Sequence, residues 1–279
     1  MIKEQRFITA LLRLLWRYPK LLFVVLLLGG LDYSYEVFYA RNSMSFMGIP
    51  QAKDAHIEHW TRIFRNDAYM VGYSDLKANP LWVVYRLSAQ NEDRYSLKRP
   101  DTFQRDWRLF WLIGPEEYTH SGYDRGHMAP NDAIASQYGA NAQVETFLMS
   151  NVTPQKPSLN QKIWKRLEKR EQETFLKKVS TLWVYTGPLF EGKTQYLRHS
   201  YVEIPTAFYK VYVGIDAQNH LHTLAVILPQ NAQENDAIER YIVSIDEVER
   251  RSGFDLFKQL DDAVAKKLEA TIETSFWLQ

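Results

Sequence analysis

Four side chains near the middle of the chain have the types and the order that phosphodiester hydrolysis requires. Arg125 and His127 stand in the run 123–130, and Asn160 and Glu168 follow in a segment with a helical pattern. Histidine can take a proton from water near neutral pH, and arginine holds phosphate through a planar fork of donors. Asparagine offers an oxygen that Mg²⁺ accepts, and Mg²⁺ keeps most of its waters. The set predicts cleavage of phosphodiesters with a hard metal ion.

The arginine and histidine of this run also have ordinary structural interpretations. Arg125 could pair with Asp124, and a lone histidine in a loop is usually a surface residue. We expect Asp124 to orient the loop rather than to react. Gly126 would ease the backbone through a tight conformation between Arg125 and His127.

The spacing of Asn160 and Glu168 limits how they could share a metal ion. Eight residues along an ideal helix give a rise of about 12 Å and a rotation of about 80°. We therefore expect Glu168 to act through the waters of a metal ion that Asn160 binds directly. The alternatives are an N-cap role for Asn160 and helical ion pairs of Glu168 with Lys165 or Lys169.

The elements that must position these side chains form one mixed α/β domain from residue 41 to 279. The pattern predicts a linker at 42–50, a short helix within 51–66, a loop with a short strand at 122–140, and a helix over 159–178. Helical segments are predicted within 236–260, followed by a charged amphipathic tail at 261–279. Alternation and β-branched or aromatic residues predict strands at 69–73, 81–87, 146–151, 181–186, 201–204, 207–213 and 221–228.

The composition is that of an ordinary globular protein, with 46% hydrophobic and 24% charged residues among 279. The absence of cysteine excludes disulfides and thiolate metal sites. The net charge is only +1, so any basic surface for nucleic acid must be local. The candidates are a helical cluster that begins at Lys162 and continues with Lys165, Arg166, Lys169 and Arg170, and the separate residues Arg86, Arg94 and Arg108.

Residues 1–40 have the composition of a targeting segment. Basic residues precede the apolar run 21–31, and Asp32 and Glu36 follow it. This charge order predicts export of the remainder of the chain, to the periplasm or to a membrane-anchored position outside the cytoplasm. An uncleaved anchor, a cleaved signal peptide and a membrane-surface helix all remain open.

Several motifs in register resemble the DNA/RNA non-specific endonucleases, a family that includes mitochondrial endonuclease G and secreted bacterial nucleases. The resemblance covers roughly residues 70–257. It is carried by the runs 80–85, 124–128, 145–151, 154–155, 160–161, 167–168, 186–190, 205–210, 244–249 and 252–253, and by Trp164.

The resemblance implies a ββα-metal (His-Me finger) fold of the α+β class, with a central antiparallel sheet flanked by helices. It implies that His127 is the general base, that Arg125 steadies the phosphate, and that Asn160 is the only protein ligand of Mg²⁺, with Mn²⁺ as an alternative. Glu168 would contact the waters of the metal. The implied substrates are DNA and RNA, the products carry 5′-phosphates, and a homodimer is one expected assembly.

Three other functions remain open from the sequence: a catalytically silent, membrane-tethered module that binds nucleic acid, a related phosphodiesterase of narrower substrate, and a toxin with an inhibitor partner. Two histidine pairs, His56 with His59 and His220 with His222 beside Asp216, lack a convincing ligand set. We therefore do not expect either pair to bind a metal ion.

Overall fold

The structure, a computed structural model, describes residues 13–14, 16–89 and 97–278. Arg94, a candidate phosphate contact, lies outside these residues. The chain divides into two compact units, Met1–Ser43 and Met44–Gln279.

The first unit contains one long helical segment. Helix α1 spans Pro19–Tyr35, a π-helical turn spans Glu36–Ala40, and helix α2 spans Arg41–Met44. Pro19 suits the first helical turn because a backbone N–H at this position would have no acceptor within the helix, so its absence loses no hydrogen bond. By length and composition the continuous segment Pro19–Met44 could cross a membrane, with a mean hydropathy of 1.7 over its most apolar window. A signal sequence has the same properties.

Within the described residues of the second unit, a central sheet has seven antiparallel strands. This sheet confirms the expected antiparallel architecture. In order across the sheet, its strands are β10 (Ile242–Val243), β9 (Leu221–Pro229), β8 (Ala207–Ile215), β7 (Thr181–Leu189), β4 (Asn79–Ser88), β3 (Tyr69–Ser74) and β2 (Arg62–Arg65). Two smaller pairs join β1 (Gln51–Ala52) to β11 (Phe254–Asp255), and β5 (Asp124–His127) to β6 (Val152–Gln155).

Both faces of the central sheet are covered, which explains why β4 is buried almost throughout its length. Val83, Tyr85 and Leu87 face a core that also contains residues of the predicted site helix, whereas Trp82 and Val84 face the opposite core. This alternation follows from the two-residue period of a strand. The helices are α3 (Asn131–Tyr138), α4 (Ala140–Thr146), α5 (Lys165–Glu173), α6 (Ile245–Ser252), α7 (Asp262–Ala270) and α8 (Ser275–Leu278).

The strand pair β5–β6 and the helix after it form a compact ββα unit. A π-helical turn at Leu159–Trp164 leads directly into α5, so the predicted helix is present but begins with a widened turn. Ile163 and Leu167 bury this helix against the same core as Val83.

Five segments differ from the sequence predictions. The first is 122–140, predicted as a loop with a short strand, which also contains helix α3. Residues 146–151 are the end of α4 and a 3₁₀ turn rather than a strand, and 201–204 contains only an isolated bridge from Glu203 to Tyr196. Residues 51–66 hold a 3₁₀ turn at Ile57–His59 and strand β2. The 42–50 segment is not a free linker, because Phe46 is buried and its N–H and C=O both bond the Tyr185 hydroxyl.

Candidate active site

Strands β5 and β6 bring Arg125 and His127 to one end of the ββα unit. Gly126 pairs with Thr153 in this antiparallel strand pair. A Cβ at Gly126 would collide with the Gln155 side chain. We expected Gly126 to permit a tight backbone conformation, and this explanation was wrong. The glycine lies in an extended strand, where the absence of a Cβ permits close packing of the Gln155 side chain.

The His127 ring is buried between two aromatic side chains. Its centroid lies 5.0 Å from that of Phe103 and 4.9 Å from that of Phe147. Burial, aided by the Arg99 cation, lowers the pKa of His127 to about 3. Among the described residues, nothing hydrogen bonds to its enclosed Nε2 atom.

The backbone after His127 is held by Asn151. The Ala129 N–H donates to Asn151 Oδ1 at 2.8 Å, and Asn151 Nδ2 donates to the Ala129 carbonyl at 3.0 Å. These reciprocal bonds fix the exit of the chain from β5 and hence the direction of the histidine.

Arg125 does not pair with Asp124. Its Nε donates to the Pro115 carbonyl at 3.0 Å, and one terminal nitrogen donates to that carbonyl and to Thr119. The guanidinium also lies 5.7 Å from the centroid of the Phe103 ring. These contacts orient the fork while leaving the Arg125 side chain part-exposed.

Asp124 instead binds the amides of the π-helical turn. Asn160 Nδ2 and Gln161 Nε2 donate to Asp124 Oδ2 at 3.0 and 2.8 Å. An ionised carboxylate only accepts hydrogen bonds, so it fixes the Asn160 amide with its NH₂ toward Asp124 and its Oδ1 directed elsewhere. Asn160 lies inside the helix that begins at Leu159 and is therefore not its N-cap.

Glu168 is half-buried on α5, and its Oε1 atom is enclosed with no hydrogen-bond partner among the described atoms. Burial raises the pKa of this carboxyl to about 8, although the nearby Lys210 opposes the shift. The alternative of a helical ion pair does not hold for Lys169, which contacts Glu173 at 3.6 Å.

All four predicted catalytic and metal-binding residues line one cleft of about 880 Å³. A π turn holds more residues than an α turn, so ideal α geometry does not describe the path from Asn160 to Glu168. The cleft is lined by Arg99, Arg125, His127, Pro130, Asn131, Asp132, Asn160, Gln161, Lys162, Lys165, Glu168, Lys169, Gln172 and Glu173.

The predicted substrate contacts are only partly brought together. Lys162 lines the cleft and contacts Glu234 at 3.1 Å, whereas Arg86 lies on β4 and is not among the lining residues that the structure describes. The basic cluster on the helix does not act as one surface. Its lysines 162, 165 and 169 line the cleft, whereas Arg166 donates to the carbonyls of Glu234 and Asp236.

Arg99 is a cleft residue that the sequence did not single out. Its guanidinium lies 5.1 Å from the centroid of the Phe147 ring, next to His127. It belongs to an irregular basic stretch, and only the tertiary packing distinguishes it from neighbours such as Lys98. Asn131 and Asp132, at the start of α3, were missed for the same reason.

The donor set fits a hydrated divalent cation of the Mg²⁺ type. Asn160 and Glu168 line the same cleft, and both side chains offer oxygen atoms to a cation. Two such side chains leave most positions around a Mg²⁺ ion to water.

Comparison with known proteins assigns this fold to the ββα-metal nucleases. The structure matches endonuclease G in a solved complex with its inhibitor, with a TM-score of 0.67 and 28% identity, over 75% of this chain and 89% of that one. The sequence model of the DNA/RNA non-specific endonucleases matches residues 58–263. The chain belongs to the DNA/RNA non-specific endonuclease family.

Two curated relatives show how far the similarity extends. Human mitochondrial endonuclease G is 32% identical over 201 residues, which cover 67% of this chain and 66% of that protein. A nuclease of Nostoc sp. is 28% identical over 217 residues, which cover 74% of this chain and 76% of that protein.

Proposed function

We propose that this protein is a Mg²⁺-dependent endonuclease that hydrolyses DNA and RNA with little sequence preference and leaves 5′-phosphate ends. The observation that carries the proposal is that His127, Asn160 and Glu168, together with Arg125, line one cleft. Asp124 fixes the amide of Asn160 within this group.

His127 acts as the general base. A neutral imidazole that lines the cleft can accept a proton from the attacking water. The flanking rings of Phe103 and Phe147 pack against the imidazole and hold its plane.

Arg125 binds the scissile phosphate through its forked guanidinium. The bonds to Pro115 and Thr119 fix the guanidinium before substrate arrives, which reduces the ordering cost of binding. Lys162, Lys165 and Lys169 line the same cleft and bind flanking phosphates, whereas Arg86 lies away from this path.

Asn160 and Glu168 bind the hydrated ion, with Mn²⁺ as an alternative to Mg²⁺. Asn160 contributes its oriented Oδ1, and Glu168 accepts hydrogen bonds from the waters of the ion. A bound Mg²⁺ supplies positive charge to the phosphoryl oxygens and to the leaving oxygen. Glu168 is ionised in this role, since a nearby cation favours the charged carboxylate.

The apolar segment Pro19–Met44 directs the protein out of the cytoplasm, as an anchor or as a signal peptide. The nuclease domain, from about residue 41 to 279 on the sequence pattern, then acts in the periplasm or from the membrane surface. Membrane fractions washed with carbonate would retain an anchored chain and release a cleaved one.

The test uses the full chain in detergent with supercoiled plasmid and a structured RNA. Mg²⁺ should support cleavage of both, EDTA should abolish it, and the products should accept ligation chemistry that requires a 5′-phosphate. Asn160→Ala should need far more Mg²⁺, whereas Asn42→Ala, outside the cleft, should behave as wild type. A folded wild type that cuts neither substrate with Mg²⁺ or Mn²⁺ would overturn the proposal.

A further inference from the structure

A second group of potential metal ligands lies on the turn between β8 and β9, and none of its members lines the nuclease cleft described above. Asp216 Oδ2 lies 3.2 Å from His220 Nδ1 and 3.1 Å from His222 Nε2. All three ligand atoms lie within 4.8 Å of one another. The sequence alone placed His220 and His222 on one side of a strand near Asp216 but did not favour a metal site there.

The turn already fixes the carboxylate of Asp216. Its Oδ1 accepts the backbone N–H groups of Gln218 and His220, each at 2.8 Å. Asn219 adopts a left-handed conformation with φ of 64°, which asparagine tolerates better than most residues. With Oδ1 satisfied by the backbone, Oδ2 is the atom left to face both imidazoles.

The other nitrogen of His222 has a partner of its own. His222 Nδ1 lies 3.0 Å from a carboxylate oxygen of Glu273. The Phe276 ring stacks on the imidazole, with centroids 3.6 Å apart and planes at 2°. Metal-bound histidines commonly donate their second N–H to a carboxylate in this way, which fixes the tautomer and the ring orientation.

We propose that Asp216, His220 and His222 form a Zn²⁺ site, with Glu273 orienting His222 and water in the fourth position. Zinc bonds of about 2.0 Å at tetrahedral angles place ligand atoms about 3.3 Å apart. The two separations of 3.1 and 3.2 Å agree with that spacing. Two imidazoles and a carboxylate suit zinc better than Mg²⁺ or Ca²⁺.

The charges support a cation rather than hydrogen bonds alone. His222 has a carboxylate oxygen near each ring nitrogen, Glu273 at Nδ1 and Asp216 at Nε2. Zn²⁺ at Nε2 offsets the negative charge of Asp216. The side chain of Asp216 is only 11% exposed and that of His222 15%, which protects the bonds from water.

Zinc at this position joins the β8–β9 turn to the C-terminal segment. Glu273 and Phe276 belong to that segment, and the next residue, Trp277, is fully buried in the core beside Phe175. Lys178 donates to the Phe276 carbonyl at 2.6 Å and holds the segment from the other side. Zinc bound here therefore stabilises the docking of the C-terminal segment.

The experiment measures Zn²⁺ binding to the full chain in detergent, purified without a histidine tag. The measurement is made on the Asn160→Ala variant, which lacks the proposed Mg²⁺ ligand. Zn²⁺ bound in the nuclease cleft then does not add to the number of Zn²⁺ ions measured per chain. We expect one Zn²⁺ per chain, a higher melting temperature with Zn²⁺ than with Mg²⁺, and a visible absorption band of four-coordinate Co²⁺ when Co²⁺ replaces Zn²⁺.

Variants of the site separate the proposal from incidental binding. His222→Ala should lose the Co²⁺ band and the zinc-induced rise in melting temperature, and Glu273→Gln should weaken Zn²⁺ binding by about 10- to 100-fold. His56→Ala, another exposed histidine, should bind as its parent does. His220→Ala provides a second test, since the His220 side chain is 72% exposed and its loss should leave the fold intact.

Unchanged zinc affinity in folded His220→Ala and His222→Ala proteins would overturn the site. So would a wild type whose zinc affinity and melting temperature match those of His222→Ala. Each variant is also assayed for plasmid cleavage in its otherwise wild-type form, which reports that the nuclease domain remains folded.

Discussion

At the scale of single residues, the carboxylate of Asp124 determines which end of the Asn160 amide faces the cleft. The two bonds at 3.0 and 2.8 Å tie Asp124 to Asn160 and Gln161. The Asp-Arg-Gly-His run therefore contributes more than its arginine and histidine, because its first residue holds the proposed metal ligand in the productive orientation.

Asp124→Asn should raise the Mg²⁺ concentration needed for half-maximal activity. An amide at position 124 can offer its own NH₂ to Asn160, so the orientation of Oδ1 is no longer fixed. Changes to groups that orient metal ligands typically reduce metal affinity by about 10- to 100-fold. Activity is measured against Mg²⁺ concentration, with the exposed Asp101→Asn as control. An unchanged Mg²⁺ dependence would contradict the orienting role.

The buried imidazole of His127 should make stability depend on pH. Burial lowers its pKa to about 3 in the folded chain, whereas an unfolded histidine titrates near its ordinary value of about 6.5. Between these values the unfolded state binds more protons, so stability falls as the pH falls through this window and the contribution is complete above it. The slope approaches about 1.4 kcal/mol per pH unit.

Urea unfolding in EDTA at several pH values measures this effect. The difference in unfolding free energy between wild type and His127→Gln should shrink as the pH falls from about 6.5 toward 3. His56→Gln, an exposed control, should lack this change. A pH-independent difference for His127→Gln would show that the imidazole is not held neutral.

At the scale of elements, the site helix is joined to the central sheet by a buried polar cluster of Glu171, Lys210, Tyr85 and Tyr212. Lys210 on β8 donates to Glu171 on α5 at 2.5 Å, and Tyr85 on β4 donates to the other carboxylate oxygen at 2.6 Å. Lys210 also lies 4.9 Å from the centroid of the Trp164 ring in the π turn. The position of Asn160 and Glu168 thus depends on strands far away in sequence.

Lys210→Met should lower the free energy of unfolding by about 3–5 kcal/mol, since it leaves the Glu171 charge buried without its partner. The double variant Lys210→Met with Glu171→Leu should regain much of this loss. Lys169→Met, which removes an exposed ion pair to Glu173, should cost less than about 1 kcal/mol. Equal losses at Lys210 and Lys169, measured by denaturant unfolding, would contradict the buried role.

The same elements show what the sequence could and could not predict. The short strand before His127, the strands β3, β4, β7, β8 and β9, and the site helix follow from local patterns, and the structure confirms them. The prediction of a strand at 146–151 was wrong. The Asn151 side chain bonds the backbone of Thr146 and of Ala129 and so stabilises a turn. The residues at 201–204 alternate as in a strand, but only Glu203 pairs with another backbone segment, in an isolated bridge to Tyr196.

Features that depend on distant contacts could not be predicted. The π turn at Leu159–Trp164 has no local pattern of its own, and Arg99 reaches the cleft only through its packing beside Phe147. The residues of the candidate site were named from their motif, but the partners of Asp124 and the contact of Glu273 with His222 required the folded chain.

At the scale of the whole molecule, a net charge of +1 leaves little general attraction for nucleic acid. The lysines of the cleft, Lys162, Lys165 and Lys169, concentrate positive charge where substrate must bind. Binding should therefore be moderate and local, and salt should affect it through a small number of phosphate contacts.

Lys165→Ala should reduce kcat/KM and flatten its dependence on salt. Removing one contact to a duplex phosphate changes the slope of log affinity against log salt by about 0.9. Lys258→Ala, near Asp255 and away from the cleft, should leave the slope unchanged. An unaltered slope for Lys165→Ala, from rates measured over a range of salt concentrations, would exclude Lys165 from substrate binding.

The central claim is that His127 removes the proton from the attacking water in this cleft, and one paired measurement tests it most directly. Single-turnover cleavage of a duplex in Mg²⁺ and binding of the same duplex in Ca²⁺ are measured for wild type and for His127→Ala. We predict that the variant binds as wild type does and cleaves about 10²- to 10⁴-fold more slowly. Cleavage by His127→Ala at the wild-type rate would contradict the account.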